Sequence, residues 1–448
     1  MQQIFQYVEG NRERFLQELF ALLRQPSISA QNQGVAECAE LLKSHLDAVG
    51  VPAMVMPTAG HPVVFGELKS PGATRTVLIY GHYDVQPPDP LEQWKSPPFE
   101  PTVRDGRIWG RGAGDNKGQL FAHVKAVEAV LKAAKRLPVH LKFLFEGEEE
   151  VGSRNLRSFL EANRALLGAD CCYCSDGGMY PDDQPTVVLG VRGNLYVEVT
   201  AKGANRDVHS GNLGPYVPNP AWRLAHFLAT LTDESGKAQV KGFYDDVLPM
   251  TDSERKALAK IPFDPGVLTG LGLTPDPAKG GPFYFERVMF QPAMNICGLT
   301  SGYGGRGMKT VLPHVAKAKI DMRLVVNMDP DDIFAKFTAH AREHGFGDLE
   351  IQRLGSFYPS RTPIDHPLGR AAAAAARQGF GKEPLLIPCM GGSDPDYYFT
   401  KVLGMPRVNV PYAPHDENNH APNENIKLEG FFCGVKTTAA FLHEAAKL

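Results

Sequence analysis

The amino-acid sequence predicts an α/β protein with a mainly parallel sheet covered by helices, into which a smaller α+β domain is inserted. Three observations lead to this prediction. Apolar strand-like segments alternate with amphipathic helix-like segments through the N-terminal third, the alternation changes near Val191, and it resumes after residue 357. The predicted first domain therefore comprises residues 1–191 and 358–448, and the predicted insertion comprises residues 192–357.

Each element of the first domain is predicted from its own periodicity. Helical patterns recur every three to four residues, and strands are short apolar runs bounded by glycine, proline or charge. Before the insertion, the predicted helices lie near 11–24, 35–48, 116–137 and 153–166, and the predicted strands lie at 76–81, 139–147 and within "ADCCYC" and "PTVVLG". After it, the order is helix 366–379, strand 385–388, helix 395–403, strand 407–410 and helix 425–446.

The insertion has a different sequence pattern from the first domain. "RGNLYVEVTAKG" and "HVAKAKIDMRLVV" alternate polar and apolar residues, as half-exposed strands do. A helix is predicted near 219–231, and "DPDDIFAKFTAHAREHG" reads as a capped helix. A stretch rich in glycine and proline separates the two strands. This arrangement predicts a small α+β domain with a partly open sheet.

Composition narrows the class of protein. The chain has 448 residues, 43% of them hydrophobic and 22% charged, which indicates a globular protein of two or three domains. A net charge of −3 without a long basic run argues against nucleic acid and anionic membrane as partners. The polar N-terminus and the lack of a bilayer-length apolar run favour the cytoplasm. Cys171 and Cys174 form a C-x-x-C, but their apolar surroundings predict core positions on a buried strand.

Polar side chains follow several of the predicted strands. His82 and Asp84 follow "VLIYG", the glutamates of "EGEEEVGS" follow "LKFLF", and Asp176 follows "CCYC". "RVNVPYAPHDENNH" also ends in acidic residues and histidines. In an open α/β sheet such strand ends converge at one crevice, and histidines with carboxylates suit zinc or manganese. An acidic run alone usually means a solvated face, so the joint placement carries the prediction of a metal site.

The motifs "GHYDVQP", "WKSPPFEP", "DGRIWGRGAGDNKGQ", "EGEEEVGS", "SD", "HSG", "GGSDP" and "NNHAPNE" occur in an order that resembles the M20 metallopeptidases, specifically the dipeptidase branch that includes carnosinases. The resemblance implies two divalent metal ions per subunit, with Zn²⁺ expected first and Mn²⁺ or Co²⁺ as alternatives. It also implies a metal-bridged water and a glutamate general base, which is Glu149. The implied metal ligands are His82, Asp115, Glu150, Asp176 and His420, with Asp115 bridging.

The resemblance gives the remaining site residues their expected roles. Asp84 can orient the ring of His82. The inserted domain acts as a lid and dimerisation domain, so that a homodimer is expected and His209 stabilises the oxyanion in the partner's site. Arg323, Gly392 and Ser393 contact the substrate. Each has a plainer alternative: Asp84 as a surface turn residue, His209 in a surface loop, and Arg323 in an ordinary salt bridge.

The sequence does not assign a definite role to three further residues. His415 competes with His420 for the metal, although the "NNHAPNE" context favours His420. Glu146 is expected beside the metal ligands, and Glu148 has no assigned role. The stretch "GYGGRG" at 302–307 fits G-x-G-x-x-G, but no predicted strand leads into it, which argues against a dinucleotide site.

The predicted function is a dinuclear metal hydrolase that cleaves the amide bond of dipeptides or short peptides with a free carboxylate. An N-acyl-amino-acid deacylase on the same scaffold is the main alternative. A non-catalytic metal- or peptide-binding protein is a weaker one, because all five ligand types and the base are present.

Overall fold

A computed structural model of the chain describes residues 1–181, 183–274 and 276–448. These residues cluster into two compact units. The sheet unit comprises Met1–Gly190, Arg361–Pro388 and Tyr398–Leu448, and the inserted unit comprises Val191–Ser360 and Cys389–Tyr397. The segment Cys389–Tyr397, which the sequence pattern assigned to the first domain, clusters with the inserted unit because the guanidinium of Arg192 donates to the carbonyl of Gly391.

The sheet unit is built on an eight-stranded sheet. Its strand order, from one edge to the other, is Ala53–Met56, Val63–Leu68, His140–Glu146, Thr76–His82, Cys171–Cys174, Arg407–Asn409, Thr186–Val188 and Leu385–Ile387. The four central strands pair in parallel. Antiparallel pairs occur at the first two positions and where Asn409 meets Val188. The prediction of a mainly parallel sheet is confirmed.

The register of the central strands brings their carboxyl ends to one edge. In the pair formed by Thr76–His82 and His140–Glu146, His82 lies opposite Glu146, so both strands end at the same level. The strand Cys171–Cys174 runs parallel beside Thr76–His82 and ends two positions earlier, with Cys174 opposite Tyr80. The polar segments that follow these strands therefore start within one or two residue lengths of each other.

Helices cover this sheet. They span Gln2–Gly10, Arg12–Arg24, Val35–Ala48, Lys117–Ala134, Leu156–Ala162, Arg164–Leu167, Pro367–Phe380 and Leu428–Ala445. Lys117–Ala134 is buried at every position from Lys117 to Val130, and it contacts both the C-terminal and the N-terminal helix. Each large apolar side chain buried there contributes about 1.5–3 kcal/mol relative to an exposed one. The core of this unit thus lies directly behind the strand ends that carry the polar residues.

The inserted unit has its own sheet and core. Four antiparallel strands lie in the order Ala293–Ser301, Val315–Leu324, Gly193–Lys202 and Glu350–Phe357. Two short strands, Val208–His209 and Val311–Leu312, pair separately. The helices are Ser210–Leu213, Pro220–Leu231, Asp252–Leu258, Gly266–Gly270, Pro282–Phe290 and Pro330–Glu343. Burial alternates along Gly193–Val199, as the polar–apolar alternation predicts. The small α+β character of the insertion is confirmed.

Three local predictions need correction, and one helix was missed. The helix predicted near 153–166 is interrupted at Asn163, whose amide donates to the carbonyl of Phe159. The start of the helix predicted at 425–446 is instead a strand, Asn425–Lys427, because it pairs with Arg107–Trp109; Thr102–Arg104 completes that small sheet. The helix predicted at 395–403 is a π-helix over Tyr398–Leu403, and the helix Gln2–Gly10 was not predicted. Among the described residues, none of the helices combines the length and apolar character that a bilayer crossing demands.

Candidate metal centre

The five side chains predicted to bind metal lie together in the sheet unit. They form two groups that share Asp115: His82, Asp115 and Asp176 in one, and Asp115, Glu150 and His420 in the other. Within each group the potential ligand atoms lie within 4.8 Å of one another. Asp115 Oδ1 lies 3.1 Å from His82 Nε2, and Asp115 Oδ2 lies 3.0 Å from His420 Nε2. The two oxygens of Asp115 thus face different histidines, as a bridging carboxylate requires.

The fold places each of these side chains at the end of an element. His82 is the last residue of its strand, and Asp176 lies two residues beyond the next strand. Glu150 lies in a single 3₁₀ turn after the strand His140–Glu146, and Asp115 lies two residues before the long helix. The backbone of His420 has φ = 56°, which turns the loop sharply at that residue. Convergence at the carboxyl edge of the sheet therefore follows from the parallel topology.

Asp84 holds two parts of the centre at once. Its side chain is fully buried, which excludes the surface-turn alternative. Oδ1 lies 3.3 Å from His82 Nδ1, and the two carboxylate oxygens accept the backbone N–H groups of Glu149 and Glu150, each at 3.1 Å. Asp84 therefore connects the histidine of one strand end to the glutamate turn of the neighbouring strand.

The hydrogen bonds of His82 define which ring nitrogen is available as a ligand. Nδ1 faces two acceptors, the carbonyl and the carboxylate of Asp84, so it carries the proton. Nε2 then presents a lone pair. It is buried, has no hydrogen-bond partner among the described residues, and faces carboxylate oxygens of Asp115 at 3.1 Å and Asp176 at 3.6 Å. Burial lowers the pKa of His82, but the facing carboxylates of Asp115 and Asp176 raise it well above its ordinary value, so Nε2 attracts a positive partner, which is either a proton or a divalent metal.

The excess of carboxylates at the centre also favours a bound cation. Asp115, Glu150 and Asp176 are close enough to Glu149 to interact with its charge, and the two ligand groups found among the described residues contain two histidines, His82 and His420. Burial raises the pKa of Glu149 well above its ordinary value, and the neighbouring carboxylates raise it further. Burial and the charge of Asp115 likewise raise the pKa of Glu150. Divalent cations would compensate this concentration of negative charge, and mixed histidine and carboxylate ligands suit zinc and manganese.

Glu149 and Glu150 have different surroundings although they are adjacent. The carboxylate of Glu150 accepts a hydrogen bond from Gln86 Nε2 at 2.9 Å and lies 3.0 Å from His420 Nε2. The carboxylate of Glu149 makes no hydrogen bond to any residue that the structure describes, yet it interacts with the charges of His82 and Asp176. Glu150 is thus engaged as a ligand would be, and Glu149 is available to a substrate or water.

The two other glutamates of "EGEEEVGS" are structural. Glu148 is buried and accepts hydrogen bonds from the backbone N–H of His61 at 3.2 Å and from Asn155 Nδ2 at 2.9 Å. Glu146 is also buried, and it accepts from the hydroxyls of Tyr80 at 2.5 Å and Ser153 at 3.0 Å. The acidic run is therefore not a solvated face, and Glu148 stabilises the turn around it.

Three polar residues near the centre escaped the sequence analysis. Gln86 donates to Glu150, and Glu424 accepts the backbone N–H of Asp115 at 2.8 Å. Asn409 accepts the N–H of Asp176 at 2.9 Å and donates to its carbonyl at 3.0 Å. Gln86 and Glu424 stand inside the quoted motifs "GHYDVQP" and "NNHAPNE", which was the available signal. His415 is exposed and belongs to neither ligand group.

His209 lies in the inserted unit and is exposed. Its Nδ1 accepts the backbone N–H groups of Gly211 at 3.1 Å and Asn212 at 3.3 Å. In the neutral ring this leaves the proton on Nε2, which lies 3.2 Å from the hydroxyl of Thr310. The ring is therefore held by its neighbours with an N–H donor at Nε2, the group that an oxyanion needs.

The predicted substrate-binding residues also lie in the inserted unit. Arg323 forms a salt bridge with Asp321 at 2.9 Å, and its Nη1 lies 3.3 Å from the hydroxyl of Ser393. Gly392 is exposed. The structure thus brings Arg323 and Ser393 together, and it also shows the salt bridge that the plainer alternative proposed for Arg323.

The chain is similar to known peptidases. The pattern of peptidase family M20/M25/M40 matches residues 78–444. The Beta-Ala-His dipeptidase of Homo sapiens is 29% identical over 478 residues, with 100% of this chain and 93% of the relative covered. The Cys-Gly metallodipeptidase dug1 of Schizosaccharomyces pombe is 27% identical, with 100% and 99% covered.

The chain is also similar to a solved structure of an M20 peptidase. The M20 family metallo-carboxypeptidase Sso-CP2 from Sulfolobus solfataricus superimposes with a TM-score of 0.90 at 39% identity, covering 97% of this chain and 99% of that chain. The family match extends over most of the chain and includes every residue of both ligand groups. This chain belongs to peptidase family M20/M25/M40 and is a metallopeptidase of the branch that contains the dipeptidases.

Proposed function

We propose that this protein hydrolyses the amide bond of dipeptides or short peptides that carry a free carboxylate. The observation that carries the proposal is the pair of ligand groups sharing Asp115, with the unengaged carboxylate of Glu149 beside them. His82, Asp115 and Asp176 would hold one divalent cation, and Asp115, Glu150 and His420 the other. Zn²⁺ is proposed as the metal, with Mn²⁺ or Co²⁺ as alternatives.

The bound cations would supply Lewis acidity, which polarises the scissile carbonyl and makes water more acidic. Glu149 is proposed as the general base that takes a proton from the attacking water and returns it to the leaving amine. Its raised pKa, caused by burial and the adjacent carboxylates, indicates strong proton affinity before cations enter. Asp84 keeps the proton of His82 on Nδ1 and holds the backbone of Glu149.

The inserted unit is proposed to act as a lid and dimerisation domain. Among the described residues, one edge strand of its sheet, Ala293–Ser301, pairs on one side and exposes Ile296 and Leu299, an apolar surface that a second chain would cover. In the proposed homodimer, the Nε2–H group of His209 in one subunit donates a hydrogen bond that stabilises the oxyanion in the other subunit's site. Arg323, with Gly392 and Ser393, is proposed to bind the carboxylate of the peptide, which suits a planar fork of donors.

The names of the relatives support peptide substrates, because they include a Beta-Ala-His dipeptidase, a Cys-Gly metallodipeptidase and a metallo-carboxypeptidase. An N-acyl-amino-acid deacylase would use the same centre and the same carboxylate site. The two differ at the amine end, where a dipeptide carries a charged amino group and an N-acyl amino acid does not. A cytoplasmic location stays a prediction.

A substrate screen tests the proposal. Metal-free protein is reconstituted separately with Zn²⁺, Mn²⁺ and Co²⁺, and each form is assayed by amine release against dipeptides and the matching N-acetyl amino acids. Dipeptides are expected to give the larger kcat/KM. Faster hydrolysis of the N-acetyl compounds would establish the deacylase instead, and turnover of neither class by a protein that binds two metals would reject both.

A further inference from the structure

Glu424 lies in the sheet unit, and its carboxylate is completely buried against the loop that leads to Asp115. It accepts four hydrogen bonds. Oε2 accepts from Arg111 Nη1 at 2.7 Å and from the backbone N–H of Gly112 at 3.0 Å. Oε1 accepts from the backbone N–H groups of Gly114 at 2.9 Å and Asp115 at 2.8 Å. One side chain therefore holds the backbone of the whole turn that ends at the shared carboxylate.

This arrangement is specific to a carboxylate. Each oxygen receives two donors, and three of the four donors are backbone N–H groups that no side-chain change can reposition. Arg111, itself buried, supplies the positive charge that offsets the buried carboxylate. Hydrogen bonds to an ionised acceptor are stronger than neutral ones, so the turn is held firmly.

Glu424 also joins the turn to the segment that carries the second histidine. It stands four residues after His420, whose Nε2 lies 3.0 Å from Asp115 Oδ2. The backbone carbonyl of Glu424 accepts the N–H of Gly110 at 3.0 Å, so main chain and side chain contact the same loop. The position of Asp115 relative to His420 thus depends directly on Glu424.

We propose that Glu424 is a positioning residue that sets the location of Asp115 and thereby the affinity of both metal positions. The proposal rests on the proposed dinuclear function. Asp115 is the only residue common to the two ligand groups found among the described residues, so its displacement weakens both of them. Glu424 belongs to neither ligand group, and each of its carboxylate oxygens already accepts two hydrogen bonds from the protein.

Two variants test this role. In Glu424→Asp the charge and the partner Arg111 remain, but the side chain is one methylene shorter and cannot reach all three backbone donors. In Glu424→Gln one oxygen becomes an NH₂ group, which would point at N–H donors in either orientation. Zn²⁺ is titrated into the metal-free proteins by calorimetry. Both binding steps are expected to weaken by about 10–100-fold, as loss of a residue that orients a ligand commonly does.

Two controls separate positioning from general damage. Asn409→Ala removes the partner of Asp176, which belongs only to the His82 group, so one binding step should weaken and the other should not. Glu128→Gln changes a carboxylate of similar burial that pairs with Lys125 and Arg14, away from the centre. It measures the loss of thermal stability that follows from neutralising any buried carboxylate, with both metal affinities retained.

The expected result has a kinetic part. At saturating Zn²⁺, Glu424→Asp should recover part of its kcat and keep the KM of the wild type, because the carboxylate of Glu424 is completely buried. If the wild type binds two Zn²⁺ and Glu424→Asp binds them with the same affinities, the positioning role is overturned and the proposed function is not. Failure of the wild type to bind Zn²⁺ would instead overturn the proposed function. If Glu424→Gln does not fold, Glu424→Asp decides the question.

Discussion

The two units differ in the exposure of several of their predicted functional groups, although His420 of the sheet unit is exposed and Arg323 of the inserted unit is partly buried. In the sheet unit, His82, Asp84 and Asp115 are buried and held by other residues at measured hydrogen-bond distances. In the inserted unit, His209 and Gly392 are exposed to water. Buried like charges interact strongly because the local dielectric is low, whereas exposed groups are screened. The buried carboxylates of the sheet unit therefore favour bound cations, and the roles proposed for His209 and Gly392 require a substrate or a second chain that excludes water from them.

Removal of metal should have the largest effect on the buried centre of the sheet unit. Exhaustive chelation should abolish peptide hydrolysis and leave the fold largely intact, because the ligands lie at strand ends and not in the apolar core. Added Zn²⁺ or Mn²⁺ should restore turnover. The measurement is amine release beside circular dichroism and elemental analysis. Full activity in protein shown to contain no metal would contradict the assignment of the centre.

The glutamate turn provides the next largest effect. Glu149→Gln should lower kcat by about 10²–10⁴-fold while both metals stay bound, because the amide cannot accept the proton. Glu150→Gln should lose occupancy at one metal position. Glu148→Gln is a control for structural damage to the turn: it should lower thermal stability and keep both metal positions, because Glu148 contacts His61 and Asn155 and belongs to neither ligand group. If Glu149→Gln loses metal and Glu150→Gln keeps it, the two roles are reversed.

Mixing two inactive variants tests the role of the exposed His209 in the inserted unit. His209→Ala and Glu149→Gln should each be nearly inactive alone. After subunit exchange, random pairing makes about half of the dimers heterodimers, each with one complete site, so activity should approach about a quarter of wild type. Exchange is verified by mass spectrometry of tagged subunits. Heterodimers that form without regaining activity would show that His209 does not serve the other subunit.

A buried histidine outside the centre gives the smallest effect. His123 is fully buried between Tyr173 and Tyr412, and burial lowers its pKa to about 3. The unfolded chain takes up this proton below about pH 6.5 and the folded chain does not, so stability rises with pH between these values. Metal-free wild type should therefore lose about 2 kcal/mol more than His123→Gln between about pH 7 and pH 5.

Urea unfolding of the two proteins measures this difference. Equal losses in wild type and His123→Gln would show that His123 is protonated in the folded chain.

Much of the fold could be predicted because its signals are local. The helix Val35–Ala48 and the strand His140–Glu146 agree with their predicted positions to within a residue or two. The start of the last helix could not be predicted, because Asn425–Lys427 becomes a strand only through pairing with Arg107–Trp109, more than three hundred residues earlier. Local propensity does not contain that partner.

The sequence by itself determined which residues could bind metal. His82, Glu150 and Asp176 follow apolar strands, parallel strands end at one edge, and the motif order is that of a known family. These are properties of residue type and spacing along the chain. They also place Glu149 beside Glu150.

Only the tertiary structure decided how these residues are held. Glu424 reaches Asp115 across 309 positions of sequence, and Asn409 reaches Asp176 across 233. Asp84, predicted to serve His82 alone, also binds the backbone of Glu149 and Glu150. The physical reason is that hydrogen bonds between distant segments depend on the three-dimensional positions of donors and acceptors, which the packing of strands and helices establishes and local sequence patterns do not encode.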